Sequence, residues 1–173
     1  MHWLIDGYNV IRRDPELRAR EAESLEAGRR ALLHLLARAH RGPRDEFTVV
    51  FDGARVSGGA PAEGRIRVIF SRPPLTADDE LMRLARQRKS GAVVVSSDRK
   101  IQDAARRSGS AVLTVDQFLE GLEFQKGLPP ESDLPNPATK NDSYPVRDKR
   151  GNPRRLSKGA RRAQRALRRL REP

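Results

Sequence analysis

The stretch AVVVSSDRKIQDAA, residues 92–105, decides the architecture of this chain. It opens on an apolar run, residues 92–96, that is continuous rather than alternating, the pattern of a short strand buried on both faces. Past Asp98, the residues Ile101, Ala104 and Ala105 recur at helical spacing. A strand that leads through an acidic turn into a helix is the repeating unit of a parallel α/β sheet.

Four further apolar runs read as strands: residues 3–6, 47–52, 66–70 and 111–115. Helical patterns separate most of them. Residues 15–40 read as one long helix, with Asp14 as its cap, Pro15 at the first helical position and a stripe of Leu25, Leu32, Leu33 and Leu36. A second helix starts at Thr76 and buries Leu81, Leu84 and Ala85. A last one, capped by Asp116, carries Phe118, Leu119 and Leu122. The Gly-rich link over residues 53–65 shows no clear helix. The pattern predicts a three-layer α/β fold with right-handed crossovers and a central parallel sheet of about five strands.

A length of 173 residues suits one domain with an appendage, and a hydrophobic share of 36% suits a modest core. The absence of cysteine excludes disulfides and thiolate metal sites and fits a reducing compartment. The chain opens directly on a strand pattern without a basic-then-apolar leader. It holds no apolar run near the ~20 residues of a membrane span, so a cytoplasmic, membrane-free protein is expected.

The formal charge of +12 is uneven: residues 147–173 hold 12 Lys/Arg against 2 acids, leaving 23 against 21 for the rest. Three segments follow from this: a domain over 1–125, a linker or arm over 126–146 with Pro129, Pro130, Pro135 and Pro137, and a basic tail over 147–173. The tail is helical from about residue 156, where Leu156, Ala160, Ala163, Leu167 and Leu170 form a narrow apolar seam. Its charges repel, so alone it is expected to be disordered or marginally helical. It can grip RNA, dock its seam on the body or on a protein partner, or serve as a solubilising or membrane-surface segment; its charge density favours RNA.

Three acidic phrases carry the chemistry: DGYN at residues 6–9, TADD at 76–79 and SSD at 96–98. Ligands of open parallel sheets sit outside the carboxyl ends of the strands, where Asp6 and Asp98 fall. Asp78 and Asp79 open the second helix and can reach the same rim. Mg²⁺ or Mn²⁺ takes oxygen ligands and keeps several waters, so two to four carboxylates suffice to hold it. A cation there activates water and neutralises charge on a phosphodiester. Each acid also has a structural reading. Asp98 fits a helix N-cap, Asp79 the capping-box partner of Thr76, and Asp6–Gly7 and Asp52–Gly53 strand-ending turns. Asp103 reads as solvated or paired with Arg99 or Arg107. Asn9 orders water or phosphate, or satisfies local backbone. An acidic pocket in a basic protein points to a metal-dependent enzyme acting on nucleic acid. Arg55, Arg65, Arg72, Arg99 and Lys100 near the rim, and Arg154, Arg155, Arg161 and Arg162 in the tail, are candidate phosphate contacts. Tyr8 is the best stacking candidate beside the pocket, with core packing as the alternative.

Taken together, LIDGYNVI, VVFDG, TADDELMRLA and VVVSSDRKIQDAA resemble the NYN-domain branch of the PIN-like nucleases, most closely its YacP-like group, over about residues 2–122. The resemblance implies a Rossmann-like sheet of strand order 3-2-1-4-5, which makes the first and fourth strands neighbours. It further implies a Mg²⁺/Mn²⁺-dependent endoribonuclease leaving 5′-phosphate and 3′-hydroxyl ends. The metal-holding carboxylates match Asp6, Asp78 and Asp98, Asn9 matches the family asparagine, and Asp79 and Asp103 match auxiliary positions. The expected substrate is RNA, as mRNA, rRNA or ribosome-associated RNA, with the ribosome as a further partner. Two alternatives stand beside this reading: a non-catalytic RNA- or ribosome-binding module, and a structure-specific DNA nuclease.

Overall fold

The computed structural model describes residues 1–39, 45–53, 66–126 and 157–171. Strands β1 (His2–Asp6), β2 (Glu46–Phe51), β3 (Ile66–Phe70), β4 (Ala92–Val95) and β5 (Ala111–Leu113) form one parallel sheet in the order β3-β2-β1-β4-β5. The α/β class and the strand order are thus those expected. The order reverses between β1 and β4, which pair with Ile5 opposite Val95, so the crevice lies at their carboxyl ends.

Side chains alternate across each strand and meet a helical layer on either face. Trp3, Ile5, Phe51, Val93 and Val95 pack with Ile11, Leu32, Leu36, Phe118 and Leu122. Leu4, Val50 and Val94 pack on the other face with Leu81, Leu84, Ala85, Ile101 and Ala105. The second layer belongs to α4 (Ala77–Arg88) and α5 (Arg99–Arg107). The first belongs to α1 (Gly7–Arg13), α2 (Pro15–Glu23), α3 (Leu25–Ala39) and α6 (Val115–Lys126).

Three details differ from the sequence reading. The helix expected over 15–40 is broken at Ser24, whose backbone is extended (φ −168°, ψ 153°) and whose Oγ accepts from Ala27 N at 3.0 Å. A serine hydroxyl that caps the next helix competes with continuing the previous one. Helix α1 escapes the sequence reading because GYNVIRR is short and opens on weak helix formers. Its first residue must be glycine: a Cβ on Gly7 would lie 2.3 Å from Phe51 Cε1. Finally, Asp116 does not cap α6. Thr114 and Gln117 do so reciprocally, Gln117 N donating to Thr114 Oγ1 at 3.2 Å and Thr114 N to Gln117 Oε1 at 3.1 Å, while Asp116 binds Arg13.

The basic tail forms α7 (Lys158–Arg171), which packs on α6 and β5. Ala166 and Leu170 are buried, and Gly121 of α6 leaves room for Leu170: a Cβ there would lie 3.2 Å from Leu170 Cδ1. The helix expected to be marginal alone is therefore held by its apolar seam against the body. Leu156 and the proline-bearing stretch from residue 127 lie outside the described residues.

Candidate active site

Because β1 and β4 are neighbours, Asp6 at the end of β1 faces the segment that follows β4. Asp6 caps α1, its Oδ1 accepting from Asn9 N at 3.2 Å, while Oδ2 accepts from the Asn9 side-chain amide. Ser96, fully buried, donates from Oγ to Asp6 Oδ2 at 3.3 Å and accepts from Asp98 N at 3.1 Å. One hydroxyl thus ties the first and third acidic phrases together. Gln102 fixes the serine in turn, its Nε2 donating to Ser96 O at 2.8 Å, and Arg106 Nη2 donates to Gln102 Oε1 at 3.0 Å.

Asp98 caps α5, its Oδ1 accepting from Lys100 N at 2.7 Å and Ile101 N at 3.1 Å. Among the described residues its Oδ2 accepts no hydrogen bond. Asp79 completes a capping box with Thr76, and those hydrogen bonds hold its carboxyl below the usual range. Asp78 differs from both: it accepts no hydrogen bond among the described residues. Partial burial pushes its carboxyl up first, then the charges of Asp6 and Asp98, with Asp52 adding to the rise and Lys100 opposing it. Asp6 is also pushed up, chiefly by burial and further by Asp98, against the pull of the Asn9 and Ser96 hydrogen bonds.

Asp52, for which the sequence offers a strand-ending turn as the alternative to a site role, joins this group. Its Oδ1 accepts from Ser71 Oγ at 2.8 Å, Gly53 N at 3.2 Å and Ala77 N at 3.4 Å, tying the end of β2 to the start of α4. A signal for it exists, since VVFDG ends on Asp-Gly just as LIDG does. Ser96 and Gln102 escape sequence reasoning altogether, because a buried serine and a helix glutamine carry no charge pattern.

The other candidates disperse. Asp103 pairs with Arg106 at 2.9 Å, rather than with Arg99 or Arg107. Arg72, Arg99 and Lys100 are exposed, and Lys100 acts electrostatically on Asp78. Arg55, Arg65, Arg154 and Arg155 lie outside the described residues. Arg161 is exposed on α7. Arg162 donates to Gly109 O at 3.0 Å, ahead of β5 and thus at the edge of the sheet opposite the acids. Tyr8 meets Phe51 edge-on at 5.1 Å, has Arg12 over its ring at 5.5 Å and accepts from Arg29 Nη1 at 3.0 Å.

Among the described residues, no three His, Asp or Glu side chains stand close enough to chelate an ion as they are. The donor set still fits a hard divalent cation. It is all oxygen and mutually repelling, and no Lys or Arg among the described residues forms an ion pair with Asp6, Asp52, Asp78 or Asp98.

Comparison with known proteins agrees with the fold. The uncharacterized protein YacP of Bacillus subtilis (strain 168) is 34% identical over 84 residues, covering 47% of this chain and 49% of that protein, so the chain spans about half the length of this curated relative. The crystal structure of Rae1 (YacP) from Bacillus subtilis aligns with TM-score 0.62 and 29% identity over 73% of this chain and 75% of that one. The crystal structure of a mutant form of that protein aligns with TM-score 0.61 and 28% identity over 72% and 76%. Residues 3–149 match the YacP-like NYN domain, and the chain therefore belongs to that family, a branch of the PIN-like nucleases.

Proposed function

We propose that this protein is a Mg²⁺- or Mn²⁺-dependent endoribonuclease whose metal is held by Asp6, Asp78 and Asp98. Asp78 carries the reading. It is a carboxylate with no hydrogen-bond partner among the described residues, at a helix start, pushed up by partial burial and then by the charges of Asp6, Asp98 and Asp52. Such an arrangement costs stability and is the mark of a functional site. A divalent cation bound there supplies charge neutralisation at phosphorus and lowers the pKa of water.

The chain's own residues do the rest. Asn9 fixes both oxygens of Asp6, and Ser96 holds Asp6 in register with the turn that carries Asp98. Asp79 sets the start of α4 and so the position of Asp78. Arg72, Arg99 and Lys100 contact the phosphates beside the scissile bond, and the basic tail adds affinity for RNA or for ribosomal RNA. Cleavage leaves 5′-phosphate and 3′-hydroxyl ends.

The test is digestion of single-stranded and structured RNAs by wild type, Asp6→Asn and Asp98→Asn, with Mn²⁺ or with EDTA. The expected result is metal-dependent cleavage lost in both variants. Cleavage in EDTA, or full activity in both variants, contradicts the mechanism. A second reading, an RNA-binding module without catalysis, is favoured by the lack of a ready chelating group among the described residues. Salt-dependent RNA binding with no cleavage under any metal would establish it.

A further inference from the structure

A second basic feature lies at the other end of the sheet. A cleft of about 250 Å³ opens between α7 and the amino ends of β4 and β5, lined by Ser90, Gly91, Ala92, Val93, Ala111 and Met1, and by Arg162, Arg165 and Arg169. These arginines stand at i, i+3 and i+7 of α7, one face of a helix. An adjoining face of α7 is the one buried on α6, through Ala166 and Leu170. Docking of the seam therefore places three arginines along one cleft.

Their charge is only partly used. Arg162 spends one N–H on Gly109 O at 3.0 Å. Arg169 stands 3.9 Å from Asp45, which already binds the Met1 ammonium at 2.7 Å. Arg165 makes no hydrogen bond or ion pair among the described residues. A guanidinium offers five donors in a planar fork that matches phosphate oxygens, so most donors of this cleft are free for an anion. Ala92, at the cleft, and Ser96, at the acidic rim, are four strand residues apart, about 13 Å.

We infer that the cleft of Arg162, Arg165 and Arg169 binds a backbone phosphate of RNA, as a second anchor at the opposite end of the sheet from the acids. This rests on the nuclease reading for the choice of RNA, but not on catalysis. The helix faces make the tail bifunctional: its apolar seam fixes the orientation of its basic face.

The test is binding of a fluorescein-labelled single-stranded RNA to the full chain in EDTA, followed by anisotropy across a salt series. Arg165→Gln is compared with Arg30→Gln, which removes the same charge from an exposed position on α3, away from the cleft and the tail. Arg165→Gln should weaken binding about 10-fold and reduce the salt slope by about one, against less than about 2-fold for Arg30→Gln. Equal losses would reduce the cleft to diffuse charge and overturn the proposal. So would no RNA binding by wild type, or an Arg165-dependent site that takes inorganic phosphate while RNA affinity stays unchanged. Because no metal is present, these outcomes are separate from failure of the nuclease reading, which appears only as absent cleavage.

Discussion

The two edges of the sheet treat acidic residues in opposite ways. At the amino edge Asp45 binds the Met1 ammonium at 2.7 Å with Arg169 at 3.9 Å, and Glu46 binds His2 at 3.0 Å. At the carboxyl edge Asp6, Asp52, Asp78 and Asp98 gather with no ion-paired cation among the described residues, and Asp6 and Asp78 are pushed up in pKa. The backbone is the same sheet, so the difference lies in the side chains it was given. One edge pairs its acids with cations, and the other leaves its acids without ion pairs among the described residues. Under the proposed function, stability is given up there for metal binding, a common trade at active sites.

The contrast can be broken most sharply at Asp78. Asp78→Asn should lower the RNA cleavage rate by about 10²–10³-fold, since a metal contributes several kcal/mol of transition-state stabilisation. In the metal-free protein the same change should raise the melting temperature by on the order of 1 °C, small because solvent screens the repulsion. A calorimetric scan and a cleavage assay on one variant check both signs. At the other edge the sign reverses: Asp45→Ala should cost about 1–2 kcal/mol in denaturant titration, because it strands the partners of a partly buried carboxylate. If both substitutions destabilise alike, the contrast fails.

Ser96→Ala tests the link between the phrases. It removes the donor to Asp6 and the acceptor of Asp98 N, for a cost of about 1–2 kcal/mol. Cleavage should fall by about 10-fold at saturating RNA as the acids lose register. A stability loss with unchanged rate would make the serine merely structural. The smallest effect is in pH. A carboxyl raised in the folded state favours the protonated form, so its repulsion is absent below the ordinary value of 3.8 and grows as pH rises through the raised value. The gain in melting temperature of Asp78→Asn over wild type should therefore be largest near neutral pH and vanish toward about pH 4. A gain independent of pH would trace to something other than charge.

Much of this is legible in the sequence because it depends on pattern. Continuous apolar runs place all five strands, and the cap residues Asp14, Thr76 and Asp98 place three helix starts. What escapes depends on local hydroxyl caps or on tertiary contact. The break at Ser24 and the cap at Thr114 involve hydroxyls that periodicity does not weigh. Asp52 enters the acidic group only because β2 lies beside β1, and Ser96 becomes a bridge only because β4 lies on its other side. The docking of the tail, one of the readings its seam leaves open, is likewise a matter of contact. Charge repulsion is a property of the helix alone, whereas its order comes from Leu170 meeting Gly121.

The most direct measurement is calorimetric titration of Mn²⁺ into wild type and into Asp78→Asn at neutral pH. The account predicts saturable binding by wild type that weakens at least about 10-fold in the variant, as a lost charged ligand requires. Equal affinity in the two proteins, or no binding by wild type, would contradict it.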